Sequence, residues 1–288
     1  MKKKNKIIIV IISIIFITIT GCTIYEITTR NNKYYINEKK LEIPIFVYHN
    51  IVDDESQVYY DYMQTTKEIF EDQIKGLKSM GYHFITYEDL KAYKEGKKEL
   101  YKRSCILTFD DGYEEVYKNA YPIATKYNIP FTMFIITNNV GLPGTITWNE
   151  AKEMKESGLV TIASHSEDHA NFNKLTVMDA VNNVNNSYDK IEKNLSTENT
   201  KVFTYPYGLY TEEEINELAN LGYIQNLTDN RINTSENLDL SRLHRCYPLS
   251  DSTYKILFFL CYLLHFFCPF MCLNIWTINY ILNFYTLF

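Results

Sequence analysis

Two short runs carry most of the chemistry this chain could perform. In Thr108-Phe109-Asp110-Asp111-Gly112, two carboxylates stand side by side directly after the apolar segment Cys105-Ile106-Leu107. Adjacent carboxylates repel unless a cation or a proton offsets their charge. The plain reading is an Asp-Asp-Gly turn whose aspartate caps the helix that follows. In Ser164-His165-Ser166-Glu167-Asp168-His169, two histidines four residues apart follow the apolar run Val160-Thr161-Ile162-Ala163. Such a pair lies on one face of a helical turn and can chelate one metal; two solvent-facing loop histidines are the plain alternative. Together, aspartate, histidine and histidine make a three-ligand open site, the arrangement catalytic zinc prefers. That chelate needs only one of the two aspartates, which leaves the other free to act as a base. A third run, Phe203-Thr204-Tyr205-Pro206-Tyr207-Gly208, is a rigid proline–glycine turn in a position from which a backbone N–H could point into the same mouth.

These runs need elements that bring them together. Apolar strand-like segments occur at 43–48, 82–86, 104–109, 131–136, 159–163, 201–204 and 223–227, with helical patterns at 66–80, 113–127, 147–157, 176–195 and 211–221. The clearest helix has Val177, Val181, Val184, Tyr188, Ile191 and Leu195 at three- and four-residue steps, a core stripe. Strands alternating with helices imply right-handed βαβ units and a parallel sheet, either closed into a barrel or open and doubly wound. In both architectures catalytic residues sit at the C-terminal ends of strands. All three runs directly follow a strand.

The bulk composition narrows the partners. The chain has 288 residues, 46% of them hydrophobic, enough for one domain with a sizeable core and terminal segments. A net charge of −6 gives no global attraction to nucleic acid, so no nucleic-acid partner is expected. Tyrosine is abundant at 25 residues; its rings serve packing first and sugar stacking second. The cysteines, Cys22, Cys105, Cys246, Cys261, Cys268 and Cys272, show neither a metal-knuckle spacing nor a disulfide framework.

The two ends differ from the middle. Lys2, Lys3, Lys4 and Lys6 precede an apolar run from Ile7 to Ile19, 13 residues long, which ends in Ile19-Thr20-Gly21-Cys22. The run fits a signal-peptide core better than a membrane span of about 20 residues. The ending resembles a bacterial lipobox, in which cleavage precedes a cysteine that then carries lipid; an uncleaved anchor helix is the alternative. Either places the domain outside the cytoplasm on a membrane tether, an extracytoplasmic lipoprotein of the cell envelope in the first case. The expected division is a signal peptide over 1–22 with lipidation at Cys22, a tether over 23–40, the catalytic domain over 41–250, and an apolar tail over 251–288. From Ile256 to Phe288 the tail has no Asp, Glu, Lys or Arg, and Pro269 interrupts it. It reads as a second membrane segment or as AT-rich DNA translated out of frame. A barrel's last helix should be amphipathic, so this tail is not expected to complete the site.

The Thr108–Gly112, Ser164–His169 and Tyr205–Gly208 runs, in this order and spacing, resemble the polysaccharide deacetylase family, carbohydrate esterase family 4. Pro44-Ile45-Phe46-Val47-Tyr48-His49 and the Gly81-Tyr82 region resemble its poly-N-acetylglucosamine deacetylase branch. The resemblance covers about residues 43–248 and implies a distorted (β/α) barrel with about seven parallel strands. It implies Asp110 as general base, Asp111, His165 and His169 as ligands of Zn2+ or of another divalent metal such as Co2+ or Ni2+, and the Tyr207 backbone N–H as an oxyanion donor. Pro206 and Tyr207 would border the substrate, with His49 lining the pocket. The implied reaction removes N-acetyl groups from N-acetylglucosamine residues of peptidoglycan or poly-N-acetylglucosamine. An O-acetyl esterase or a weakly catalytic carbohydrate-binding lipoprotein is the alternative.

Two departures from the family pattern stand out. Where many members have an arginine that holds the base, this chain has Thr204; Arg242 or Arg245 would have to replace it, and Arg242 is taken as the catalytic-site candidate. The late leucine–histidine motif that supplies the leaving-group acid has no clear match. His244 falls early for it, and His265 lies in the apolar tail.

Overall fold

The computed structural model describes residues 41–58, 63–196 and 200–248. Seven strands form the frame: β1 Ile45–Tyr48, β2 Ser104–Phe109, β3 Phe131–Ile135, β4 Val160–Ser164, β5 Val202–Thr204, β6 Ile224–Thr228 and β7 Leu243–Arg245. They lie in sequence order, every neighbouring pair parallel. Backbone bonds from Val47 N–H to the Cys246 carbonyl (3.0 Å) and from Cys246 N–H to the Ile45 carbonyl (2.9 Å) join the last strand to the first. The sheet is therefore a nearly closed, distorted (β/α) barrel of seven strands.

Buried on both faces, these strands read as unbroken apolar runs; all six residues of β2 are buried. Each strand sends one residue, Ile45, Ile106, Phe134, Ala163, Val202, Ile224 or Leu243, into a single buried cluster. Because strand side chains alternate, Ile106, Thr108 and Asp110 share that inward face. Leu107 and Phe109 instead join the cluster that includes Tyr48, Phe70 and Met133.

The helices are α1 Lys67–Ser79, α2 Tyr87–Lys94, α3 Tyr121–Tyr127, α4 Trp148–Glu156, α5 Val177–Leu195 and α6 Glu212–Asn220. Five begin on a threonine (Thr66, Thr86, Thr147, Thr176 and Thr211) whose hydroxyl accepts the N–H three residues on, satisfying an otherwise orphaned donor.

The expected helix over 113–127 is a π-helical turn, Val116–Ala120, running into α3. The expected strand at 82–86 shrinks to His83–Phe84, paired with the start of β2 outside the closed ring. Its place as seventh strand goes to β7, three residues too short to show a period. Among the described residues no helix is long and apolar enough to cross a membrane. The leader with Cys22 and the tail with His265 lie outside the described residues.

Candidate active site

The barrel delivers its chemistry at the C-terminal ends of adjacent strands. Asp110 and Asp111 follow β2, His165 and His169 follow β4, and Tyr207 follows β5. The Asp110 N–H bonds to the Tyr48 carbonyl at 2.9 Å, and the His165 N–H to the Ile135 carbonyl at 2.9 Å, so each run is anchored to the neighbouring strand.

Non-glycine residues with positive φ concentrate here: Asp111 (72°), Ser166 (72°), His169 (60°) and Tyr207 (60°). Left-handed backbone is disfavoured for residues with a Cβ, and where it persists the surrounding structure must hold it. Gly112 continues the turn at φ 77°, a left-handed torsion that glycine adopts without strain.

The two aspartates have different surroundings. Asp110 is buried and accepts two bonds of 2.7 Å from the Arg245 guanidinium, one on each oxygen. Arg245, also buried, donates further to Thr108 Oγ1 (3.2 Å) and Thr228 Oγ1 (2.8 Å) and lies against the Phe134 ring. Burial pushes the Asp110 carboxyl up, but Arg245 outweighs it and holds the group down at about 2. Asp111 is half-buried and turns to the histidines: its Oδ1 lies 3.4 Å from His165 Nε2 and 3.5 Å from His169 Nε2. Burial lowers the His165 pKa, and the Asp111 and Asp110 carboxylates more than reverse it. At His169 burial prevails and the pKa falls.

The donor chemistry fits a cation. His165 Nδ1 lies 2.9 Å from the Thr204 carbonyl, which can only accept, so Nδ1 carries the proton. Nε2 then faces the Asp111 carboxylate across 3.4 Å, a contact that needs a cation between the two, either a proton on Nε2 or a metal ion bound by both. A bonded partner on the far nitrogen is the usual mark of a metal-ligating histidine. Ligand atoms of Asp111, His165 and His169 all lie within 4.8 Å of one another. Atoms about 2.0–2.3 Å from one tetrahedral ion would be about 3.3–3.8 Å apart, the range of both Asp111 separations. These three residues would hold a divalent ion.

The remaining candidates fall on both sides of expectation. Arg242 does not reach Asp110: it pairs on the surface with Glu212 at 2.6 Å. It precedes β7, whereas Leu243 and Arg245 alternate inward from that strand, so Arg245 holds the aspartate. Thr204, the residue at the usual arginine position, has a buried hydroxyl without a partner. Pro206 is buried, and Tyr207 is 66% exposed with its ring edge-on to His169 at 4.4 Å. His49 follows the first strand, stacks at 6.2 Å on Tyr247 and carries a buried, unpartnered Nδ1. Burial lowers its pKa against the opposing pull of the Asp110 and Asp111 charges. His244 faces away, bonded to Asp229 at 2.9 Å.

A parallel barrel with an acid–histidine–histidine cluster at its mouth, beside a buried aspartate, defines a class of barrel hydrolases. Comparison with known proteins narrows the class. The polysaccharide deacetylase family model matches residues 97–225. YxkH of Bacillus subtilis strain 168, named for the same family, is 30% identical over 208 residues, 72% of each chain. The poly-beta-1,6-N-acetyl-D-glucosamine N-deacetylase of Staphylococcus aureus strain MRSA252 is 37% identical over 166 residues; the match spans 53% of this chain and 57% of that one. The structure of the Streptococcus pyogenes deacetylase PplD, in complex with acetate, superimposes with a TM-score of 0.67 at 26% identity, over 74% of this chain and 96% of PplD. The chain belongs to the polysaccharide deacetylase family and is a hydrolase.

Proposed function

We propose that this hydrolase removes N-acetyl groups from N-acetylglucosamine residues of a cell-envelope polysaccharide, with poly-N-acetylglucosamine favoured over peptidoglycan, and that one divalent ion, Zn2+ or a similar metal, serves it. The observation that carries the reading is the convergence of Asp111, His165 and His169 beside a separately held Asp110. The resemblance to the staphylococcal N-deacetylases supports the substrate class.

When bound, the ion supplies a Lewis acid and eases deprotonation of water. The chain's own groups do the rest. Asp110, oriented by both arms of Arg245, accepts a proton from the attacking water through a carboxylate oxygen. The Tyr207 N–H donates to the acetamide oxygen as that atom gains charge, a preorganised donor of the oxyanion-hole type. The His165 Nδ1–H stays on the Thr204 carbonyl and keeps the ring in one tautomer. His49, with a buried Nδ1 that has no partner, is the group assigned here to pass a proton to the departing nitrogen. A C–O bond forms, the C–N bond breaks, and acetate leaves a free amine on the sugar.

The lipobox-like Ile19-Thr20-Gly21-Cys22 supports placing the enzyme outside the cytoplasm on a lipid anchor, where such polymers are found.

Metal content and acetate release from β-1,6-linked N-acetylglucosamine oligomers test the proposal together. Expected are one divalent ion per chain, acetate stoichiometric with new amine, and loss of both metal and turnover in His165→Ala and Asp111→Asn. A protein that binds no divalent ion, or that releases acetate equally well after chelation, would refute it.

A further inference from the structure

The loop carrying both candidate ligand histidines is held by a helix that touches neither imidazole. Between His165 and His169 the backbone is left-handed at Ser166 (φ 72°), and again at His169 (φ 60°), so the loop depends on outside support to keep its shape. Part of it comes from β3 and the residues after it: the Thr137 N–H reaches the Ser166 carbonyl at 3.3 Å and the Asn138 N–H the Glu167 carbonyl at 2.9 Å. The rest comes from α5.

Four α5 side chains grip the loop. Asn183 Oδ1 accepts the Glu167 N–H at 2.7 Å, and its Nδ2 donates to Asp168 Oδ1 at 2.8 Å. Asn186 Nδ2 donates to Glu167 Oε2 at 3.2 Å. Ser187 Oγ accepts from Ser164 Oγ at 2.8 Å. Lys190 Nζ donates to Glu167 Oε1 at 2.5 Å and to Asn138 Oδ1 at 2.6 Å. Positions 183, 186, 187 and 190 form one stripe along a helix, bordering the apolar stripe Ala180, Val184, Ile191 and Leu195 that joins the core, with Ser187 buried at the border.

A relay continues inside the loop. Ser164 Oγ also accepts the Ser166 N–H at 3.1 Å, and Ser166 Oγ accepts the His169 N–H at 2.9 Å. Asn183 is central because a single amide holds both residues in the middle of the loop. Its orientation is dictated by its neighbours, since Glu167 N–H can only donate and the Asp168 carboxylate only accept.

We infer that the polar stripe of α5, with Asn183 at its centre, sets the spacing and orientation of His165 and His169 and so governs metal affinity. Asn183 is thus a positioning residue. The inference rests on the reading of Asp111, His165 and His169 as the ligand set. Supports outside the ligand shell typically change metal affinity by about 10–100-fold.

The test uses the full chain, Zn2+ titrated in competition with a chromogenic chelator, and the absorption spectrum of the Co2+-loaded protein. Asn183→Ala should weaken Zn2+ binding by about 10–100-fold and alter the Co2+ ligand-field bands, while the thermal midpoint of the metal-free protein stays near wild type. Asn183→Asp should weaken binding too, since it sets a carboxylate against Asp168. Adding Asp168→Asn removes the facing charge and re-forms the bond with donor and acceptor exchanged, at the expense of the Ala170 N–H that Asp168 Oδ1 also accepts at 3.1 Å, and should return part of the lost affinity even if a single variant folds poorly. His169→Ala separates the two readings. If it binds Zn2+ as tightly as wild type, the ligand assignment falls and this inference with it. If it loses Zn2+ while Asn183→Ala binds normally, or if the exchanged pair shows no recovery, the role of α5 alone is overturned.

Discussion

Replacing Arg245 by methionine keeps the apolar stem and removes the guanidinium, leaving Asp110 charged inside the barrel without its two 2.7 Å bonds. Asp110 and Arg245 are 3% and 1% exposed, so water screens neither. Removing one partner of such a pair costs about 3–5 kcal/mol, because the other charge remains buried alone. The pH dependence identifies the cause. In the wild type Asp110 is held at about 2, below the usual carboxyl value of about 4. Its ionised form therefore stabilises the fold fully above about pH 4, by about 2–3 kcal/mol, and that contribution is lost as pH falls towards 2. In Arg245→Met, burial keeps only the lesser opposition of His165 and His49, and the Asp110 pKa rises. A raised carboxyl favours the folded state at low pH, and this is lost as pH rises through the new value. The stability gap between the two proteins should thus be largest near pH 7, narrow towards pH 4 as the variant's carboxyl takes up its proton, and close only as pH falls on towards 2. Urea unfolding followed by circular dichroism at pH 7, 5.5 and 4, with chelator present in every sample, measures it. A gap that is below about 1 kcal/mol at pH 7, or that does not change with pH, would refute the argument. Arg245→Lys should recover only part of the loss, because one ammonium cannot reproduce a two-armed contact.

Tyr207 holds φ at 60°, so Tyr207→Gly should be more stable than Tyr207→Ala by about 1 kcal/mol; equal urea midpoints would show that the turn is unstrained. Both variants keep the backbone N–H and should keep measurable turnover, whereas complete loss in both would transfer the role to the phenol ring. Cys22→Ser should release the enzyme from the membrane fraction of a bacterial host, and palmitate labelling should disappear with it; unchanged retention and no label in the wild type would refute the lipid anchor.

Much of the site is legible in the sequence because doubly buried parallel strands read as apolar runs, and chemistry follows where such a run stops. That logic places Asp110, Asp111, His165 and His169 at one mouth before any coordinates are considered. It fails for Arg245, since β7 is three residues long and Arg242 stands only three positions earlier. Alternation would separate the two arginines only once the strand is known. His83–Phe84 fails in the opposite sense: the stretch is apolar enough to suggest a barrel strand, yet only two residues pair. The α5 polar stripe is hidden for another reason. Asparagine, serine and lysine on a helix resemble a solvated face, and only the position of the histidine loop shows that they are engaged. Left-handed backbone is readable at Gly112 but not at Asp111 or His169, whose torsions come from tertiary constraint.

The Asp110–Arg245 pair also bears on the order in which the barrel is built. Its partners are 135 residues apart in the chain, and the arginine lies on the strand that closes the ring. A nascent chain that has emerged only through β6 already holds the inward-facing aspartate, with no cation to meet it. Enclosing that charge is unfavourable, so the six-stranded intermediate is biased to stay open until β7 docks. Ring closure and neutralisation then become one cooperative event, with the slow search expected of contacts so distant in sequence.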